Sequence, residues 1–306
     1  MSERYDCVVV GGGPAGTVAA AFASQTGLRT LLVERDRQPR VGPAESLSPA
    51  AGKVLATLGL TPNFAVGHLR HELVSQLHAA AQDRGVTLLS DATATKVLFA
   101  GEQAMGVRIE LPTGKLRDVT GQFLIDASGQ AGLIAGQFGW KPAEPAPEQA
   151  AIWGIYAGVR RAKNGGQASF PAGGGGAEFR LSALADDLDC LSLIGDAAYL
   201  LAGRGAPEEI LEDELVGCPE LAQRLIEARL VERFHVALRH PFAARRTMGE
   251  GWQIIGDAGG PADLGDFAAL ASAILSGYEA AQSLASSVRS VIPRRWPSIS
   301  AAKSPC

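Results

Sequence analysis

Three glycines near the N-terminus have the spacing that brings a phosphate group close to the protein backbone. Gly11, Gly13 and Gly16 follow the pattern G-x-G-x-x-G. The first glycine permits a tight turn, the second lets a pyrophosphate approach the backbone, and the third lets a helix pack closely on a strand. Glu34 follows about 20 residues later, where a carboxylate can accept hydrogen bonds from both ribose hydroxyls and would repel a 2′-phosphate. The pattern predicts a site for the ADP half of FAD or NAD.

The elements around these glycines are the ones that such a site requires. Residues 5–10 are β-branched and apolar, as in a parallel strand that is buried on both faces. A helix is predicted next, with Pro14 in its first turn and Gly27 at its end. Residues 28–34 have the pattern of a second strand. A β-α-β crossover is therefore complete, as a parallel sheet requires.

The rest of the chain predicts a second, antiparallel region and a return to the first. A helix is predicted at residues 69–84, short strands at 86–89, 93–99, 105–111 and 122–126, antiparallel strands within 151–161, 179–194 and 233–243, a helix at 219–229, and a long helix with an apolar stripe at 267–288. The glycines at 165–166 and 173–176 are expected to form a loose loop. We therefore predict an α/β chain with a Rossmann-like domain at residues 1–150 plus 245–290, a smaller antiparallel domain at 151–244, and a loose tail at 291–306.

Composition argues against several classes of protein. A net charge of −4 without a basic stripe argues against a nucleic-acid partner. No apolar run reaches the roughly 20 residues of a bilayer span, so no integral membrane association is expected. The first strand begins too early to leave room for a secretory leader, so we expect a cytoplasmic protein. The four cysteines are far apart, and His68 and His71 have no third ligand nearby, so neither a redox dithiol nor a metal site is predicted.

Further motifs follow the glycine turn in a fixed order. They are Gly11-Gly12-Gly13-Pro14-Ala15-Gly16 with Glu34-Arg35, then Ala44-Glu45-Ser46-Leu47-Ser48-Pro49, then Asp126-Ala127-Ser128-Gly129, and finally Gly251-Trp252-Gln253-Ile254-Ile255-Gly256-Asp257-Ala258-Gly259. In these motifs the chain resembles single-component FAD-dependent monooxygenases and their flavin-halogenase relatives, over most of residues 1–160 and 233–288. The resemblance implies a glutathione-reductase-type FAD-binding domain with a smaller antiparallel-sheet substrate domain.

The resemblance also implies which residues bind FAD. Gly256 and Asp257 would bind the ribityl chain, Arg70 would reach the phosphates, and the segment from Asp126 to Gly129 would lie beside the pyrophosphate. Glu45 and His240 are the candidates for an acid or base near the flavin ring, although Glu45 could instead only hold its loop. The full predicted set is Gly11, Gly13, Pro14, Ala15, Gly16, Glu34, Arg35, Glu45, Ser46, Arg70, Asp126, Gly129, Gly256 and Asp257.

A second Gly-Asp pair, Gly195 and Asp196, competes for the ribityl role. We favour Gly256 and Asp257, because only that pair precedes a long apolar helix whose N-terminal dipole can face the flavin. Asp196 is instead predicted to end a strand.

The activity that the resemblance implies is hydroxylation of an electron-rich aromatic substrate through a flavin C4a-hydroperoxide. FAD would be reduced by NAD(P)H or by a partner flavin reductase. The substrate would be a small aromatic molecule or, as in the branch that acts during quinone-cofactor maturation, an aromatic side chain of a partner polypeptide. A prenyl-chain reductase and a non-catalytic flavin-binding scaffold stay open as alternatives.

A flavin-dependent halogenase is the nearest alternative. It needs a W-x-W-x-I-P segment and a lysine that captures hypohalous acid, and residues 179–184 read Phe-Arg-Leu-Ser-Ala-Leu at the corresponding place. The chain also departs from the family at Ala44, where relatives have glycine, and in the turn at 261–265. The resemblance implies substrate-domain strands near residues 60–67 and 163–177 for which the sequence has no room. Either the protein is shorter there or segments of a longer natural chain are omitted; we expect omission, because losing those strands would expose sheet edges.

Overall fold

The computed structural model describes residues 3–63, 67–142, 146–161, 167–184, 187–260 and 269–291. The strands are β1 (Arg4–Val10), β2 (Thr30–Val33), β3 (Ala44–Glu45), β4 (His68–Leu69), β5 (Thr87–Leu89), β6 (Thr93–Ala100), β7 (Gln103–Glu110), β8 (Leu116–Asp126), β9 (Gln149–Ala157), β10 (Gln167–Pro171), β11 (Glu178–Ala183), β12 (Leu188–Asp196), β13 (Arg229–Arg239), β14 (Met248–Gly249) and β15 (Trp252–Ile254). The helices are α1 (Pro14–Gln25), α2 (Pro49–Thr57), α3 (Arg70–Gln82), α4 (Leu133–Gln137), α5 (Ala197–Leu201), α6 (Pro207–Val216), α7 (Pro219–Leu225) and α8 (Ala269–Val291), with 3-10 turns at Gly129–Ala131 and Gly256–Ala258.

The first sheet brings the glycine turn to its carboxyl edge. Within the described residues it has eight strands, in the order β14-β15-β8-β1-β2-β5, with β7 also paired to β8 and β6 to β7. β1 runs parallel to both β2 and β8, so Val10 lies between Val33 and Asp126. β15 runs parallel to β8 and ends beside Asp126. The segments after these strands begin with Gly11 and Glu34 among others, and they meet at the edge where open α/β sheets bind ligands.

Helices α1 and α8 cover one face of this sheet at very close range. α1 is buried along most of its length, and the apolar stripe of α8, which includes Leu270 and Ile274, packs in the same core. A Cβ atom at Gly277 would lie 2.2 Å from the carbonyl oxygen of Ala15. The contact between the two helices therefore has no room for a side chain at that point.

The second sheet is antiparallel and has the order β10-β11-β12-β9-β13. Successive side chains along each strand point to opposite faces of the sheet, as the pleat requires. Ile152 of β9 packs into the cluster that α5, α6 and α7 complete, whereas its neighbour Trp153 packs on the opposite face with Cys190 and Ala44. Ala44 belongs to the predicted FAD-binding region, so the second sheet abuts that region through this opposite face.

The structure corrects several sequence-based expectations. The glycines at 173–176 are not a loose loop, because they form a turn between β10 and β11 that packs on Tyr199, and a Cβ at Gly175 would lie 2.4 Å from that ring. Strand β10 itself was not predicted. The predicted helix at 219–229 ends earlier, at Leu225, because β13 already begins at Arg229.

Several predictions fall outside the described residues or stay predictions. Four predicted features lie outside the described residues: the turn at 261–265, the glycines at 165–166, residues 64–66 of the region near 60–67, and the tail from 292 onward. The domain boundaries stay predictions. Among the described helices, none has the length and apolar character that a bilayer span requires.

Candidate functional site

A cavity of about 860 Å³ opens at the carboxyl edge of the first sheet. This volume lies in the range of sites that bind small molecules and cofactors. Its lining combines the glycine turn, the end of β2, the start of β6, the segment after β8, the turn after β15, one side of α3 and the start of α8. Of the predicted site residues, those in the lining are Gly11, Gly13, Pro14, Ala15, Glu34, Arg35, Arg70, Gly129, Gly256 and Asp257.

The three glycines of the turn have different surroundings. Gly11 has a φ of +102°, and a Cβ there would lie 2.2 Å from the carbonyl oxygen of Ala127. A Cβ at Gly16 would lie 1.9 Å from the carbonyl oxygen of Gly11, so this glycine packs the turn and does not line the cavity. At Gly13 a Cβ would meet no atom within 4 Å. The middle glycine of the pattern therefore leaves its backbone open to the cavity, as an approaching pyrophosphate requires.

Glu34 faces the cavity and holds the turn at the same time. One carboxylate oxygen accepts a hydrogen bond from the backbone N–H of Gly12, and the other accepts one from the backbone N–H of Asp36 at 2.8 Å. A carboxylate has about four acceptor positions, so Glu34 keeps capacity for ribose hydroxyls. Arg35, which also lines the cavity, has its Nε 3.9 Å from the carboxylate of Asp36.

His78 on α3 is a cavity residue that the sequence motifs did not reveal. Its Nε2 lies 2.7 Å from the carbonyl oxygen of Gly12, which also accepts a hydrogen bond from the hydroxyl of Thr17 at 3.0 Å. Gly12, the central residue of the glycine turn, is therefore held on both sides: its N–H donates to Glu34, and its carbonyl oxygen accepts from His78 and Thr17. This contact requires a proton on Nε2 of the imidazole.

Asp126 does not face the cavity. Its side chain is fully buried at the end of β8, where it accepts hydrogen bonds from the backbone N–H groups of Ser128 at 3.0 Å and Ile134 at 2.8 Å. Burial raises the pKa of this carboxyl above its ordinary value, and these hydrogen bonds oppose the rise. Asp126 is therefore not part of the lining, and its carboxylate shapes the segment that carries Gly129 into the lining; a direct contact with the cofactor stays a prediction.

Glu45 is likewise a structural carboxylate in this arrangement. It is 9% exposed and absent from the cavity lining, as is Ser46. One oxygen accepts hydrogen bonds from Nε of Arg70 at 2.8 Å and from Nη2 of the same side chain, and the other accepts one from the backbone N–H of Leu270 at 2.9 Å. Glu45 thus connects β3, α3 and the first turn of α8. Glu45 raises the pKa of Arg70, and Asp257 raises it further.

The two Gly-Asp pairs have different environments. Gly256, with a φ of +58°, and Asp257 form the turn after β15 and line the cavity. Asp196 ends β12 as predicted and accepts the N–H groups of Ala198 and Tyr199 at the start of α5. It lines a separate depression of about 430 Å³, which shares only Leu238 with the lining of the larger cavity. The geometry therefore supports the choice of Asp257.

His240 lies beside the site, not in it. Its Nε2 is 2.8 Å from the carboxylate of Glu148, two-thirds of its side chain is exposed, and it does not line the cavity. Its backbone N–H donates to the side chain of Gln130, which does. Among the described residues, no group of three or more His, Cys, Asp or Glu is arranged to hold a metal ion.

This fold and this cavity define a flavoprotein-like architecture, and comparison with known proteins agrees. Residues 6–42 match the model of a family described as FAD dependent oxidoreductase. The structure of the flavin-dependent brominase Bmp2 superposes with a TM-score of 0.82 at 21% identity, covering 94% of this chain and 80% of that chain. The predicted fold class, a Rossmann-like parallel sheet with a separate antiparallel sheet, is confirmed.

Particular relatives are flavin-dependent halogenases. The chain is 27% identical over 185 residues to the tryptophan 2-halogenase of Chondromyces crocatus, which is 50% of this chain and 35% of that protein. It is 42% identical over 62 residues to a 1H-pyrrole-2-carbonyl-(peptidyl-carrier protein) brominase of Pseudoalteromonas luteoviolacea (strain 2ta16), which is 20% of this chain and 15% of that protein. The matches thus span about a third or less of these relatives. The predicted resemblance to the monooxygenase and halogenase-like family is confirmed, whereas the branch that acts on a partner polypeptide stays a prediction.

Proposed function

We propose that the cavity binds FAD and that the chain is a FAD-dependent monooxygenase acting on an electron-rich aromatic substrate. The observation that supports this most is the convergence, at one sheet edge, of the open backbone at Gly13, the carboxylate of Glu34, and the turn with Gly256 and Asp257. A dinucleotide needs groups of these kinds for its phosphates, its ribose and its ribityl chain. FAD, when bound, supplies the redox chemistry and the activation of O₂.

The chain's own residues would bind and orient that cofactor. Glu34 would accept the ribose hydroxyls, and the backbone at Gly13 would approach the pyrophosphate. Arg70 reaches the cavity as a cation whose charge is secured by Glu45, and its remaining N–H groups suit a phosphate. Asp257 would hold the ribityl hydroxyls. Electrons would come from NAD(P)H or from a partner flavin reductase.

Halogenation is the second candidate, and the identity to the tryptophan 2-halogenase favours it. Against it stands the sequence of β11 and the residue after it: Phe179 and Leu181 occupy the tryptophan positions of the expected motif, and Leu184 occupies that of the proline. Both candidates share the FAD site and an aromatic substrate. They differ in whether a halide is required.

One experiment tests the proposal and separates the candidates. The purified protein is reconstituted with FAD, reduced by NADH, NADPH or an added flavin reductase, and exposed to air with phenols and indoles, with and without bromide. Mass spectrometry of the products would show gain of one oxygen without bromide for a monooxygenase, and a bromine isotope pattern only with bromide for a halogenase. A wild-type protein that neither contains nor binds FAD would refute both.

The FAD site itself is tested by Glu34→Lys. The substitution puts a cation where the ribose hydroxyls need an acceptor, and it removes the acceptor of the Gly12 N–H. We expect FAD affinity to fall at least about tenfold, which the loss of charge-assisted hydrogen bonds would produce. Asp36→Lys, two residues further along the chain and also in the lining, is the matched control for added positive charge.

A further inference from the structure

The end of strand β13 carries a cation into the neighbourhood of the cavity. Nη2 of Arg239 lies 2.8 Å from a carboxylate oxygen of Asp257, as an ion pair without hydrogen-bond geometry, and their side chains are 14% and 27% exposed. Arg239 is the last residue of the edge strand of the second sheet, and Leu238 before it lines the cavity. Asp257 comes from the turn after β15 in the first sheet. The ion pair therefore joins the two sheets at the candidate site.

Neighbouring contacts fix this end of β13 against the cavity wall. The backbone N–H of His240 donates to the side chain of Gln130 at 3.1 Å, and that of Ala244 donates to the carbonyl of Gly259 at 3.1 Å. Gly259 directly follows the turn that carries Asp257. The backbone that follows Arg239 is thus held beside the turn that carries Asp257.

The charge of Asp257 needs such a partner if the cavity takes a dinucleotide. FAD brings two phosphate charges, and its isoalloxazine gains electron density on reduction, so an uncompensated carboxylate in the lining would oppose binding. Arg70 also acts on Asp257 electrostatically, but its hydrogen bonds go to Glu45. Among the described residues, Arg239 is the cation within ion-pair distance of the Asp257 carboxylate.

We infer that Arg239 is a positioning residue for the FAD site: its guanidinium neutralises the carboxylate of Asp257, and this allows Asp257 to hold the ribityl chain. This inference rests on the proposed function, because it assumes that the cavity binds FAD. It also means that the second sheet contributes a residue to the cofactor site, so the substrate region and the flavin are coupled through one ion pair.

The test is a double-mutant cycle on FAD affinity, measured by fluorescence titration of the apoprotein. Arg239→Met should weaken binding about tenfold, because it leaves a partly buried carboxylate unpaired. Asp257→Asn should weaken binding less. The double variant Arg239→Met with Asp257→Asn should bind more tightly than Arg239→Met alone, since the unpaired charge is gone. Arg239→Lys should keep most of the affinity, and Arg233→Met, at an exposed position of the same strand, should change nothing.

The outcomes distinguish this role from a merely structural one. The reduction potential of bound FAD should fall in Arg239→Met and recover in the double variant, because it reports the local charge. The inference would be overturned if the fold-losses of FAD affinity in the two single variants multiplied in the double variant, or if the reduction potential of bound FAD stayed the same in Arg239→Met. Urea unfolding of each apoprotein identifies any variant that fails to fold, and Arg239→Lys then carries the test. A wild-type protein without FAD affinity would instead contradict the proposed function.

Discussion

Replacing Glu45 by alanine should destabilise the protein strongly, although the residue lies outside the cavity. The substitution leaves the guanidinium of Arg70 without its acceptor and the buried N–H of Leu270 without a partner. Breaking a buried ion pair costs about 3–5 kcal/mol, which we reduce because the Arg70 side chain is 35% exposed. An unpaired buried N–H adds about 1–3 kcal/mol. Together we expect a loss of about 2–5 kcal/mol in the free energy of unfolding for Glu45→Ala.

Glu45→Gln separates the charge from the hydrogen bonds. An amide oxygen can still accept from Leu270 but cannot balance Arg70, so we expect a smaller loss of about 1–2 kcal/mol. Urea unfolding followed by tryptophan fluorescence measures both variants. Glu72→Gln, an exposed acidic residue in the first turn of the same helix as Arg70, serves as control and should stay within about 0.5 kcal/mol of wild type. A Glu45→Ala protein as stable as this control would refute the structural role and return Glu45 to the list of candidate acids and bases.

The remaining predictions concern the competing Gly-Asp pairs, a helix contact and a buried carboxyl. Asp257→Ala should lower FAD affinity about tenfold or more, and Asp196→Ala should leave it within about twofold, as titration with FAD would show; equal losses would contradict the assignment. Gly277→Ala should shift the urea midpoint far more than a surface substitution, because its Cβ would lie 2.2 Å from the carbonyl oxygen of Ala15. The pKa of Asp126 is raised in the folded state, so its contribution to stability is present below the ordinary pKa and is lost as the pH rises through the raised one. As the pH rises from the ordinary to the raised pKa, the free energy of unfolding of wild type should therefore fall relative to that of Asp126→Asn. A difference that is independent of pH would contradict the burial effect.

Local patterns were enough to predict the β-α-β unit and its ligand-facing edge. The glycine spacing, the helix from Pro14 and the carboxylate of Glu34 all lie within one crossover, so neighbouring residues determine their geometry. α8 was equally predictable, because its apolar period is sustained over many turns. The prediction of a loose loop at 173–176 is wrong, because the turn that these glycines form packs on Tyr199, which comes from a later helix.

Long-range pairing limits what the sequence could reveal about the site. Glu45 accepts from Leu270, 225 positions away, and no local signal connects the two. His78 is an ordinary residue of an amphipathic helix until the fold places it beside Gly12. Arg239 ends a strand of the other sheet, and only the closure of both sheets brings it to Asp257. Each of these contacts depends on tertiary packing and not on a motif.

The carboxylates around the cavity show why motif position alone does not assign a role. Asp126 and Asp196 both use their oxygens on backbone N–H groups that follow them in the chain, so they shape turns and helix starts. Glu45 also accepts from a backbone N–H, that of Leu270, which lies 225 positions later in the chain. Glu34 and Asp257 instead present their carboxylates to the cavity, and each has its geometry fixed by a partner on another element. Since a ligand can use only acceptors that face it, we expect substitutions at Glu34 and Asp257 to change FAD affinity first, and those at Asp126 and Glu45 to change stability first.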